Sequence, residues 1–87
     1  MTERLRYWMH ERSGKLRFVI EAYQHGKAMS AEDIGIMRDY LRQWIMSPWW
    51  FDSAELAGLR ADVDKLTSRV AIQDWLDRAF REGINPL

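Results

Sequence analysis

The chain has 87 residues, 47% of them hydrophobic, with thirteen basic and thirteen acidic side chains and no cysteine. Hydrophobic content of this order supports a packed core, and domains typically run to about 100–150 residues, so one small domain over 1–87 is expected. The composition excludes disulfide frameworks, thiolate zinc sites and cysteine nucleophiles, and its charge balance lacks the basic excess of a dedicated nucleic-acid binder.

The charge is unevenly placed. Residues 1–27 carry six basic against three acidic side chains, residues 28–53 two against four, and residues 54–87 five against six. Ten of the thirteen basic residues are arginine, which suits bidentate pairing and stacking at interfaces. The N-terminal stretch MTERLRYWMHERSGK is charged throughout and has no signal-peptide core. No run approaches the roughly 20 apolar residues of a membrane span, so a cytoplasmic protein without membrane association is expected.

Taken in chain order, residues 3–12 read as a short helix with Leu5, Trp8 and Met9 on one side. Leu16, Val19, Ile20 and Tyr23 then fall at i, i+3, i+4, i+7, which predicts a helix over roughly 15–25, ended by Gly26 in a left-handed conformation. The competing reading is a hairpin. Leu5, Tyr7 and Met9 alternate, as do Leu16, Phe18 and Ile20, about a Ser13-Gly14 turn. Ser30 before Ala31-Glu32-Asp33 is an N-cap, with acidic residues meeting the positive end of the helix dipole. Ile34, Met37, Leu41 and Trp44 follow at heptad spacing, Ile45 widens the stripe, and Pro48 stops the helix near residue 46.

After SPWWFDS at 47–53, Asp52 or Ser53 caps a helix over about 54–66, with Glu55 near N3. Leu56, Leu59, Val63, Leu66 and Val70 form its stripe. Ile72, Trp75, Leu76, Ala79 and Phe80 form another, rotated by about half a turn from the first, which predicts a break or kink near Thr67-Ser68. Gly83 fits a C′ position, Ile84 can fold back, and Pro86 prevents continuation. The expected fold is all-α: a small bundle of four to five short antiparallel helices, because short connectors place consecutive helices side by side.

The connector raises the functional question. Trp44 and Trp75 lie on apolar stripes and read as core, whereas Trp49, Trp50 and Phe51 adjoin one another between two helices. Neighbouring aromatics in a loop cannot easily face the same way. Either they fold back as a plug over the end of the bundle, or they anchor a partner. Tryptophan is favoured at interface hot spots because it buries a large area with few rotors and retains one donor. Arg42 would stand on the rim of such a surface.

The rival class is nucleic-acid binding through Arg4, Arg6, Arg12, Lys15 and Arg17, interleaved with Tyr7, Trp8 and His10, since cationic and stacking side chains together hold phosphates and single-stranded bases. Glu3 and Glu11 among them equally suit a solvated helix face. Glu21 and His25 share a helical face at i, i+4, but two ligands do not make a metal site, and His10 and Glu11 lie far away in sequence. Asp62, Asp64, Asp74 and Asp77 read as solvated faces, with Arg60, Lys65, Arg69 and Arg78 as pairing partners. With no phosphate loop, nucleophile–base pair or ligand cluster, neither catalysis nor a cofactor or metal is expected.

The sequence therefore points to a non-enzymatic protein-interaction module: a small regulator, adaptor or inhibitor that binds a larger protein through a Trp- and Arg-rich surface. A phage- or mobile-element-encoded inhibitor of a host defence complex is one concrete version. The heptad stripes at 34–45 and 56–70 also offer surfaces for a homodimer.

Overall fold

The computed structural model describes residues 15–48 and 52–87. Among them, residues 15–24 form helix α1, Ala31–Ile45 α2, Ala54–Asp62 α3 and Arg69–Arg81 α4, with a 3-10 turn at Val63–Lys65 directly after α3. The described residues are all-helical, without a strand. None of their helices is long and apolar enough to cross a membrane.

Local chemistry sets most of the helix ends. Ser30 caps α2 in a reciprocal box: its hydroxyl accepts from the Asp33 amide and the Asp33 carboxylate accepts from the Ser30 amide, both at 3.1 Å. Ser53 caps α3 by accepting from the Leu56 amide at 3.0 Å, which makes Leu56 the N3 residue and puts Glu55 one position earlier than expected. Ser68 caps α4 by accepting from the Ala71 amide at 3.1 Å, so the chain does break at the point where the apolar phase changes. Each such cap contributes about 1 kcal/mol. Gly26 and Gly83 end α1 and α4 with φ of 70° and 79°. In both, the glycine amide bonds three residues back and the next amide five residues back, satisfying carbonyls left open by the last turn.

The hairpin reading fails where it can be tested. Leu16, Phe18 and Ile20 lie in α1, with Leu16 buried and Phe18 exposed, because α1 buries one helical face rather than alternate residues. Its other strand, like the helix expected over 3–12, lies outside the described residues.

The core joins the inward faces of all four helices. Met37, Leu41 and Ile45 of α2 meet Leu56 and Leu59 of α3, Val63 and Leu66 behind it, and Ile72, Trp75, Leu76 and Ala79 of α4. Leu16 and Val19 of α1 and Ile84 of the tail complete it. Burying each large aliphatic side chain contributes about 1.5–3 kcal/mol. The Trp75 indole donates to the Leu59 carbonyl at 2.9 Å, so its one polar atom is satisfied inside the core. Most of the stripe residues expected at 34–45 and 56–66 are thus buried within the chain itself.

Ile34 and Trp44 are partly buried, and two other stripe residues are exposed. Val70 is 70% exposed, because the stripe that its spacing continues in sequence ends with the turn at Leu66 and Val70 belongs to α4, whose inward face is set by Ile72 and Trp75. Phe80, placed with that inward face by sequence, is 55% exposed and lies beside it.

The tail is tied back to α2. The buried Tyr40 hydroxyl donates to the Pro86 carbonyl and accepts from the Trp44 indole at 2.8 Å. Burial pushes the Tyr40 hydroxyl above its ordinary value of 10.0, partly offset by the bond from Trp44. Because the folded value is raised, the stabilisation from this group is complete below the unfolded value and is lost as pH rises through the folded one. The urea midpoint should therefore fall above about pH 10, and Tyr40→Phe should flatten part of that fall. Tyr23, also raised by burial, accounts for a remainder. A variant with the same alkaline slope as the wild type would exclude Tyr40 as its source.

Candidate functional site: the connector between α2 and α3

The segment SPWWFDS joins the C-terminus of α2 to the N-terminus of α3. Trp49, Trp50 and Phe51 lie outside the described residues, so their surroundings define the site. The last turn of α2 leaves carbonyls without intrahelical partners. One residue of α3 reaches them. The Arg60 guanidinium donates from Nε to the Ile45 carbonyl at 2.9 Å and from Nη2 to the Ser47 carbonyl at 3.1 Å. Its third nitrogen, Nη1, donates to the Asp52 carboxylate at 3.3 Å on the far side of the connector. A planar fork with several donors can make these bonds together, whereas a lysine ammonium would serve fewer.

The seam beside the connector is closed by two more arginines of α2. Arg38 donates to the Leu66 carbonyl at 3.2 Å, and Arg42 pairs with Asp64 at 3.2 Å. Along α2, residues 38, 42 and 45 thus meet residues 66, 64 and 60 in reverse order. Arg42 stands one turn before Met46, which is 43% exposed at the mouth of the connector. Arg42, expected from sequence to stand on a binding rim, is exposed on α2, one turn from an exposed thioether that sequence reading did not single out. Met46 has no distinguishing signal of its own. Its exposure follows from standing at the C-cap of α2.

On the other face of α3, Arg78 donates to Asp62 at 2.8 Å. That hydrogen bond is the main reason the Asp62 carboxyl lies below its ordinary value, so its contribution is present above the unfolded value and is lost as pH falls through the folded one. Gly58 leaves room for this arginine: a Cβ there would stand 3.1 Å from Arg78 Nη2. The hollow beside it, about 190 Å³, is lined by Glu55, Gly58, Leu59, Arg78 and Arg81 and carries opposed charges.

The acidic pairings differ from the sequence expectation. Asp62 and Asp64 do meet cations, but Arg60 reaches Asp52 and two carbonyls, and Arg69 donates to the Tyr23 and Lys27 carbonyls at the end of α1. Asp77 accepts from Gln73 at 3.2 Å.

Of the basic residues considered for nucleic acid, Arg4, Arg6 and Arg12 lie outside the described residues. Lys15 pairs with Glu32 at 3.0 Å and Arg17 is exposed on α1. Lys15 and Glu32 flank a hollow of about 330 Å³ between α1 and α2, where Phe18 is 71% exposed and Asp33 adds a second acid. Glu21 and His25 are both exposed, and no group of three or more metal-ligating side chains occurs among the described residues.

Compared with protein-family models, curated proteins and solved structures, the chain matches none.

The Arg42–Asp64 pair is more than half exposed at both ends, so it is worth at most about 1 kcal/mol. Arg42→Ala should leave the urea midpoint nearly unchanged, making it a clean probe of binding. A loss of several kcal/mol in that variant would place Arg42 among the residues on which the fold depends.

Proposed function

We propose that this chain is a non-enzymatic protein-interaction module whose anchor is the connector between α2 and α3. The connector joins the C-terminus of α2, where residues 42 and 45 meet residues 64 and 60, to the N-terminus of α3. Trp49, Trp50 and Phe51 supply the apolar anchor, with Arg42 and Met46 on the rim. The observation that carries this reading is the closure of both connector ends by Arg60, which brackets three adjacent aromatics between Ser47 and Asp52. Aromatic anchors ringed by arginine and methionine match the composition of interface cores.

In this reading the protein acts by occupying a larger protein as a small cytoplasmic regulator, adaptor or inhibitor. A phage- or mobile-element-encoded inhibitor of a host defence complex is one concrete form. Because most of the stripe residues at 34–45 and 56–66 face inward, a homodimer would have to form through other surface.

Affinity capture from source-cell lysate, with and without nuclease, tests the proposal when wild type is run beside the Trp49→Ala/Trp50→Ala variant. The expected result is a protein partner that survives nuclease and is lost in the variant. Recovery of nucleic acid, with associated proteins disappearing after nuclease, would overturn it and move the site to Arg4, Arg6, Arg12, Lys15 and Arg17.

A further inference from the structure

We propose that the hollow between α1 and α2 receives Phe18 of a second copy of this chain, so that two copies pair through antiparallel α1 helices about a two-fold axis. This surface is separate from the connector and is the one a homodimer would use. Phe18 is 71% exposed, the highest value among the exposed large apolar side chains described. It points away from the core because Leu16, Val19, Ile20 and Tyr23 turn the opposite face of α1 inward.

On one side of Phe18 the helix forms a hole. Lys15, Phe18, Val19 and Ala22 stand at i, i+3, i+4 and i+7, the set of four residues into which a facing helix inserts a side chain. Ile36 of α2 closes the far wall, and the hollow measures about 330 Å³. A cavity of about 150 Å³ already holds a benzene-sized ring. Each copy thus carries an exposed aromatic knob and a hole for one on the same helix. A surface that is its own complement is satisfied by a two-fold axis, which makes the same contact twice. Seating both rings also adds buried apolar area to a chain whose own core is small.

Charge selects the antiparallel direction. Lys15 and Glu21 lie three residues before and three after Phe18. Where two α1 helices cross antiparallel at Phe18, Lys15 of each copy faces Glu21 of the other, and opposite charges meet twice. A parallel crossing would set lysine against lysine and glutamate against glutamate. Glu21 is exposed and takes part in no ion pair among the described residues. Lys15 holds Glu32 at 3.0 Å, but both ends of that pair are more than two-thirds exposed, and an ammonium has donors left for a second carboxylate. Glu32 and Asp33 beside the hollow would repel phosphate, which argues against nucleic acid as its occupant.

The test is sedimentation velocity on the full chain from about 5 µM to about 1 mM, the range in which a small interface dissociates. Circular dichroism checks the fold of each variant; Phe18 is exposed, so its replacement leaves the core intact. The wild type should show a monomer–dimer equilibrium. Phe18→Asp should weaken it by about a hundred-fold or more. Glu21→Lys and Lys15→Glu, each of which sets like charges together twice, should weaken it by about five- to ten-fold. The double variant Lys15→Glu/Glu21→Lys restores opposite charges across the axis and should return the dissociation constant to within about two- to three-fold of wild type. That recovery is specific to the crossing, because the Lys15–Glu32 pair inside each chain is lost in the double variant as well. A monomer throughout the range would overturn the proposal and leave the hollow to residues 1–14 of the same chain or to another partner. So would a dimer indifferent to Phe18→Asp, or one that the double variant weakens further than either single reversal.

Discussion

Helix ends are the constraint on which this structure depends. None of its described helices exceeds the fifteen residues of α2, so a large share of each helix is terminus, and every terminus leaves backbone groups to be satisfied. Serine hydroxyls do this at the N-termini of α2, α3 and α4, and glycine turns do it after α1 and α4. Elsewhere the donors come from other helices. Arg60 reaches back to the end of α2, Arg69 reaches the end of α1 and stacks over the Tyr23 ring at 5.1 Å, and Arg38 reaches Leu66 past the 3-10 turn. Each bond joins two elements while satisfying an open carbonyl. This accounts for the preference for arginine over lysine: a fork can serve two carbonyls at once, and a charged donor strengthens each bond.

That use of arginine changes what the composition means. In sequence, ten arginines beside five tryptophans suggest an interface. In the fold, Arg38, Arg60, Arg69 and Arg78 are engaged inside the chain, and Arg42 is paired at the surface. The arginine content therefore supports the architecture first. Among the described residues, the arginines that stand exposed are Arg17, Arg42 and Arg81, with Arg42 one turn from Met46.

The features legible in the sequence were those with local causes. The Ser30 cap, the cap at Asp52 or Ser53, the break at Thr67-Ser68 and the turns at Gly26 and Gly83 each depend on residues within about five positions, so their chemistry is written in short stretches. The break before α4 was legible because Ile72 and Trp75 could not share a continuous stripe with Val63 and Leu66. Val70 was misplaced for the converse reason, because spacing was counted across a break that resets the helical phase, whereas Phe80, counted within α4, stands beside the inward face rather than on it. The arginine bonds could not be read at all, since Arg60 and Ile45 are fifteen residues apart and Arg69 and Tyr23 forty-six. At the candidate site, the adjacent aromatics Trp49, Trp50 and Phe51 and the nearby Arg42 were visible as residue types. The frame that closes the connector was not, because two of its acceptors are backbone carbonyls that carry no sequence signal.

The proposed function turns on whether the paired tryptophans are offered to a partner or folded over the end of the bundle. Acrylamide quenching of tryptophan fluorescence in wild type and in Trp49→Phe/Trp50→Phe decides this most directly. With Trp8→Phe introduced into both proteins, the tryptophans left in common are Trp75, buried in the core, and Trp44, half-buried against Tyr40, which give a shielded background. An anchor open to solvent predicts a readily quenched emission in the wild type that drops sharply in the variant, with thermal stability little changed. Equal quenching in the two proteins, with a clear loss of stability in the variant, would instead make the connector a plug for the core and contradict the account.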